Sequence, residues 1–155
     1  MVVNSQASRS WLLVNPSREP DLDALLMHTK SDEVILDLED AVAPNEKAAA
    51  RDRVVDFLNS GARAWIRIND ASSEFWSADC RALADCRGMK GVVLAKTEGG
   101  NHMWDTVNRL GGESPVIALI ETARGLSRAQ DIAAARPGFR IAFGVNDFTL
   151  DIGVE

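Results

Sequence analysis

The feature that most constrains this chain is an alternation. Six short apolar, β-branched runs are separated by stretches whose apolar residues recur at helical spacing. Strand followed by helix, repeated in this way, builds a parallel sheet with helices packed on it, so the fold class is α/β. The runs are Trp11–Val14, Val34–Leu36, Ala64–Ile68, Gly91–Ala95, Val116–Ile120 and Arg140–Phe143. Asp21 stands where it can cap a helix whose apolar face is Leu22, Leu25 and Leu26. Pro44 precedes a helix with Ala50, Val54, Phe57 and Leu58 on one side and Gly61 as its stop. The pattern predicts a further helix over about Glu74 to Asp85 and another carrying Met103, Val107 and Leu110. Ser127 and Gln130 have the spacing of a capping box for a helix through Ala133 and Ala135. No linker, repeat or low-complexity segment interrupts the series, so it reads as one domain or part of one.

Composition removes several classes of function. The net charge is −6, from 17 Lys+Arg against 23 Asp+Glu, and no basic run is present, which argues against nucleic acid as a partner. No stretch approaches the ~20 apolar residues of a membrane-spanning helix. Met1 to Ser10 is polar and does not resemble a secretory signal. Cys80 and Cys86 form neither a CxxC pair nor a disulfide framework, so the expectation is two reduced thiols in a cytoplasmic protein.

Nearly every run ends in charged or polar groups. Asp37, Glu39 and Asp40 follow the second, Arg67 and Asn69 mark the end of the third, and Lys96 and Glu98 follow the fourth. Glu121 ends the fifth and Asp147 follows the sixth. In parallel β/α folds the carboxyl ends of the strands open onto one face, and that face carries the active site. Loop charges facing water account for one or two of these residues but not for the whole series.

Glu121 and Asp147 end consecutive strands, which lie about 4.8 Å apart in a sheet. Two carboxylates at that spacing repel unless a cation or a proton sits between them. An all-oxygen site suits Mg²⁺, with Mn²⁺ also fitting, whereas Zn²⁺ lacks His or Cys at this rim. The competing reading is an ion pair with Arg124. Arg67 lies in an apolar run and needs an anion: a substrate carboxylate, a developing enolate oxygen, or a structural partner in Glu39 or Asp40. Lys96 is either an ordinary charged lysine beside Glu98 or a Schiff-base former with a lowered pKa.

These strand ends are similar to those of a known family. Arg9-Ser10-Trp11-Leu12-Leu13-Val14, Leu36-Asp37-Leu38-Glu39-Asp40-Ala41-Val42-Ala43-Pro44 with Lys47 and Arg51, Arg67-Ile68-Asn69, Leu94-Ala95-Lys96-Thr97-Glu98, Ile120-Glu121-Thr122-Ala123-Arg124-Gly125 and Phe143-Gly144-Val145-Asn146-Asp147 through Asp151-Ile152-Gly153 occur in the family's order. The chain resembles the HpcH/HpaI aldolase/citrate lyase family, the citrate lyase β-subunit-like and malyl-CoA/citramalyl-CoA lyase-like enzymes, from Arg9 onward.

The resemblance implies a TIM (β/α)8-barrel fold and Mg²⁺-dependent cleavage of a carbon–carbon bond. The implied substrates are citryl-, malyl- or citramalyl-type thioesters, on CoA or an acyl carrier, releasing an acyl thioester and a 2-oxo acid. It implies Glu121 and Asp147 as metal ligands and Arg67 as the arginine over the metal-bound substrate. Arg18 becomes a further substrate- or CoA-contacting arginine, Glu39 and Asp40 the residues that position Arg67 and metal-bound water, and Lys47 a partner of that acidic cluster. The chain departs from the family with Asn15-Pro16 after the first strand and Ala95 before Lys96. With 155 residues against the ~250 of an eight-stranded barrel, residues 1–155 are expected to be the N-terminal part of one barrel domain, strands 7 and 8 and a C-terminal segment being absent. A six-stranded arc leaves two sheet edges, so a homo-oligomer is expected to close it. The alternative function is an incomplete half-barrel that binds CoA esters or a partner chain without turnover.

Overall fold

A computed structural model describes residues 4–135 and 138–154. Six strands form one sheet: β1 (Trp11–Val14), β2 (Glu33–Asp37), β3 (Ala64–Ile68), β4 (Met89–Leu94), β5 (Val116–Ile120) and β6 (Gly138–Phe143). They lie in chain order and every neighbouring pair is parallel. Helices α1 (Leu22–His28), α2 (Lys47–Asn59), α3 (Trp76–Leu83) and α4 (Gly100–Arg109) fill the crossovers. The last crossover holds two short helices, α5 (Ala123–Ser127) and α6 (Ala129–Ala134), and α7 (Val145–Asp151) follows β6. The alternation of runs is thus a curled six-stranded parallel half-barrel.

Two apolar layers explain the curl. The larger one, between sheet and helices, includes Leu36, Ile66, Leu94, Ala118 and Ile120 from the strands and Val54, Leu58, Leu83, Met103 and Ile132 from the helices. The smaller one lies on the concave face and draws on all six strands: Trp11, Ile35, Trp65, Val93, Ile117 with Leu119, and Phe139 with Ala142. Trp65 is its hub. Its ring meets Trp11 edge-on with centroids 5.3 Å apart and Phe139 at 5.2 Å, so strands one, three and six touch a single indole. Gly91 makes room for it, since a Cβ there would stand 2.4 Å from the Trp65 ring.

At the amino end of the strands Arg140 fastens the arc. Its guanidinium donates to the carbonyls of Ser8 (3.0 Å), Ser5 (3.0 Å) and Gln6 (2.8 Å) and lies 5.5 Å from the Trp11 ring. The first strand and the last are thereby held to each other at one end. Along their lengths they expose Leu13, Ile141 and Phe143, as the sheet edges of an unclosed arc must.

Asp21 caps α1 as expected, accepting from the Ala24 amide at 2.9 Å. The capping box at Ser127 is not formed. Ser127 is the last residue of α5, and its hydroxyl donates back to the Arg124 carbonyl at 2.8 Å. Thr122 is the cap in this region, accepting from Gly125 N at 3.0 Å, and it starts the additional helix α5 ahead of the expected one, which is α6. Pro137, expected to end the second of these, lies outside the described residues.

Candidate active site

The parallel sheet carries its polar groups to the carboxyl ends of the strands. In β2 and β3, Asp37 is in register with Arg67, so both side chains leave the sheet at one level on one face. They form a bidentate pair: Arg67 Nε donates to Asp37 Oδ1 and Nη2 to Oδ2, each at 2.7 Å. Asp37 is fully buried and Arg67 is 8% exposed. Glu39 adds a third oxygen to the guanidinium, 3.2 Å from Nη1. The anion that Arg67 requires is therefore Asp37 first and Glu39 second, and Asp40 reaches Lys96 instead, at 3.5 Å.

Lys96 stands between the two halves of the site. Its ammonium donates to Glu39 Oε1 at 2.7 Å. Its main-chain amide donates to Glu121 Oε1 at 2.8 Å. Its φ of +42° makes it the only residue other than glycine with a positive φ among the described residues, a conformation that costs about 1–2 kcal/mol for an L side chain. Burial works to lower its pKa, but the hydrogen bond and charge of Glu39, with Asp40 and Glu121, raise it well above the ordinary lysine value. A Schiff-base lysine needs the opposite shift, so Lys96 is a cation here.

Glu121 is buried at 2% exposure. Desolvation pushes its carboxyl up to about 7, the Lys96 amide opposes this, and the nearby Asp147 and the charge of Glu39 add to the rise. Glu39 is raised by the same burial, against Lys96 and Arg67. At Asp40 burial is outweighed by contact with Glu39 and by the charges of Lys96 and Arg67, which hold it below its usual range. Gly144 lets the Glu121 side chain lie against the start of α7, whose first turn carries Asp147.

The Glu121–Asp147 pair fits a hard divalent cation. Glu121 Oε1 has its donor in Lys96, and among the described residues no donor reaches Oε2 or the Asp147 carboxylate. Two facing carboxylates without His or Cys suit Mg²⁺ or Mn²⁺, with water and substrate completing the shell. No group of three or more His, Cys, Asp or Glu side chains able to hold a metal gathers among the described residues. An ion held here would take two carboxylates from the described residues and the rest of its shell from water or substrate.

Other expected residues lie elsewhere. Arg124 turns to Glu98, 3.6 Å away, rather than to Glu121 or Asp147. Among the described residues Lys47 pairs with no carboxylate directly. Its ammonium donates to the carbonyls of Leu38 and Glu39, both at 2.9 Å, and to Asn69 Oδ1 at 2.8 Å. Arg18 is exposed in the loop after β1, and among the described residues its side chain makes no hydrogen bond or ion pair with the cluster.

Residues 10–155 match the HpcH/HpaI aldolase/citrate lyase family. The chain belongs to that family. It is 35% identical over 147 residues to a citrate lyase subunit beta-like protein of Mycobacterium tuberculosis, covering 95% of this chain and 51% of that protein. It is 28% identical to an L-malyl-CoA/beta-methylmalyl-CoA lyase of Cereibacter sphaeroides, covering 92% of this chain and 50% of the relative. The structure of the CitE protein of M. tuberculosis in complex with magnesium, acetoacetate and coenzyme A superposes with a TM-score of 0.81 at 33% identity. That match spans 97% of this chain and 54% of the CitE chain. The chain spans about half the length of the curated family members it matches.

The sequence left the pairing of Asp37 unread and missed Asp79 altogether. Asp37, the main partner of Arg67, was legible only by pairing β2 with β3 in register, because its neighbours Glu39 and Asp40 offer the same charge. Asp79 lies on α3, far from any strand end, yet it is fully buried at the back of the site. It accepts from Asn69 N (3.1 Å), Asn69 Nδ2 (2.6 Å) and Arg51 Nε (2.8 Å), and Asn69 in turn holds Lys47. A polar residue in the first turn of an amphipathic helix gave no pattern that distinguished it from a surface aspartate.

Proposed function

We propose that this chain carries the metal and substrate-carboxylate centre of a carbon–carbon lyase that uses Mg²⁺, with Mn²⁺ able to substitute. Its substrate is a short 3-hydroxy-acid acyl thioester of the citryl, malyl or citramalyl type, carried by CoA or an acyl carrier. The products are an acyl thioester and a 2-oxo acid. The observation that carries this reading is the meeting of the Glu121–Asp147 pair with the buried, doubly anchored Arg67 at one rim.

In this reading Glu121 and Asp147 hold the ion, which when bound polarises the oxygen that becomes the ketone. Asp37 and Glu39 engage one N–H on each of the three guanidinium nitrogens of Arg67, so its two remaining N–H groups meet the substrate without first reorganising. As the carbon–carbon bond breaks, its electron pair passes to the thioester carbonyl as an enolate. Arg67 balances that charge, the hydroxyl proton leaves to a base, and the enolate carbon takes up a proton to give the acyl thioester. Asp40, half-exposed beside Lys96, keeps water and the ammonium in place at the rim. Arg18 reaches the distal part of the thioester once substrate is bound.

We further propose that residues 1–155 form the first six βα units of a barrel domain, closed by more chain or by a second copy of this one. The exposed edge residues Leu13, Ile141 and Phe143 support this. The free, buried thiols Cys80 and Cys86 support a cytoplasmic location. The same edges favour a second reading, in which the arc binds CoA esters or a partner without turnover. Incubating the chain with citryl-, malyl- and citramalyl-CoA and Mg²⁺, with and without EDTA, and weighing the products separates the two. Cleavage abolished by EDTA supports the lyase. Bound Mg²⁺ with no cleavage supports the incomplete arc.

A further inference from the structure

The one strained residue of the rim touches both of its halves. Lys96 directs its main-chain amide to Glu121 beyond β5 and its ammonium to Glu39 beyond β2. Those two elements lie on opposite sides of its own strand, β4. The torsion φ sets the angle between a residue's N–H and its Cα–Cβ direction. With the amide pinned to Glu121, φ alone decides which way the side chain sets out. The observed value of +42° sends it across the end of β3 to Glu39. The turn is secured on either side, by Ala95 N donating to Ile68 O (3.3 Å) and Thr97 N to Leu119 O (2.9 Å). The Thr97 hydroxyl also donates to Leu94 O at 2.8 Å.

We propose that Lys96 is the positioning residue that couples the metal carboxylates to the Arg67 clamp. Its amide orients Glu121, and its ammonium holds Glu39 where Glu39 can brace the guanidinium. Strain of this kind persists only where surrounding structure enforces it, and it gathers at functional sites. The charges point the same way. Asp37, Glu39, Asp40, Glu121 and Asp147 crowd one rim, and among the described residues Arg67 and Lys96 are the cations whose side chains bond to its carboxylates, Lys47 being spent on the carbonyls of Leu38 and Glu39. Glu39 Oε2 is held by the Asp40 amide (2.9 Å) and by Arg67 (3.2 Å), whereas among the described residues Oε1 has Lys96 as its one donor.

This inference rests on the lyase reading for its ligands but not for all of its tests. Three variants of the full chain separate amide from ammonium. Lys96→Gly keeps the amide, adopts the positive φ freely and removes the charge. Lys96→Met keeps the amide and the stem without the charge. Lys96→Arg keeps both amide and charge. Calorimetry with Mg²⁺ alone is expected to give affinities within about threefold of the parent for all three, because the main-chain donor survives. Pyruvate binding at saturating Mg²⁺ is expected to weaken by about tenfold or more in the Gly and Met variants and to return close to the parent level in the Arg variant. Unchanged pyruvate affinity in Lys96→Met, or loss of Mg²⁺ binding there, overturns the assignment.

Two ligand-free readouts decide the matter even if the parent binds neither probe, an outcome that counts against the lyase reading instead. Hydrogen exchange at the residue 96 amide is expected to be slow in the parent and all three variants, and fast in Glu121→Ala. The Gly variant is expected to melt above the Met variant. Fast exchange in the parent, or equal melting of the two variants, refutes the positioning role.

Discussion

Gly144 and Glu121 lie against each other so closely that a Cβ at position 144 would stand 2.6 Å from Glu121 Oε2 and 3.0 Å from its Cβ. The backbone of Gly144 is itself held, its amide donating to Ile120 O at 2.9 Å. Neither side has slack. Gly144→Ala is therefore expected to displace the carboxylate and weaken Mg²⁺ binding by about tenfold or more. Its backbone φ is −97°, so alanine fits the conformation there. Calorimetry alongside a thermal melt checks this, the melt shifting far less than the affinity.

Asp37→Ala leaves Arg67 in its buried place with its bidentate partner gone. Breaking a buried pair from one side costs about 3–5 kcal/mol, and because Glu39 stays 3.2 Å from Arg67 a loss near the lower figure is expected. A urea titration of the variant is expected to show that loss, with Arg67→Met in the Asp37→Ala background recovering part of it.

The raised carboxyl of Glu121 gives the metal-free protein an inverted acid dependence. Its folded value of about 7 lies above the unfolded value of 4.5, so between them the folded state holds the extra proton. Stability from this group is complete below about pH 4.5 and declines as pH rises through about 7, by at most about 3 kcal/mol. Denaturant midpoints in EDTA across that window test the sign, and Glu121→Gln is expected to flatten the slope.

Cys80 is fully buried, and desolvation, with Asp79 adding to it, pushes its thiol up to about 12. The thiolate is the reactive form. Iodoacetamide at about pH 8 is expected to leave Cys80 unmodified in the folded protein and to alkylate it in denaturant. Peptide mass mapping reads the difference.

How far the sequence foretold this site depends on the kind of signal each residue leaves. Strands were legible because six apolar runs alternate with helical spacing, and β1, β3 and β5 have the bounds read for them. Glu121, Asp147 and Arg67 were legible because each stands at or just beyond a strand end, where parallel topology alone puts side chains on one rim. Their pairing was not, because it depends on strand register. Register separates Asp37 from Glu39 and Asp40, three like charges within four residues. Lys47 and Asp79 were misread or missed because burial, not sequence position, makes them donors and acceptors for backbone and amide groups. Ser127 failed as a cap because Thr122, five residues earlier, starts a separate short helix.

The clasp at Arg140 has a bearing on how the chain comes to this shape. Its bonds to Ser8 and Ser5 join residues 132 and 135 positions apart, whereas every strand pairs with its immediate successor in sequence. Pairing between successive βα units proceeds over short loops. The clasp closes nearly the whole chain into one ring, at an entropic cost that grows only as the logarithm of loop length once the ends are near. The arc can thus be assembled unit by unit, leaving its curvature to be locked in a late step when the amino-terminal segment docks onto the last strand. Arg140 is then a latch on the finished arc rather than a nucleus for it.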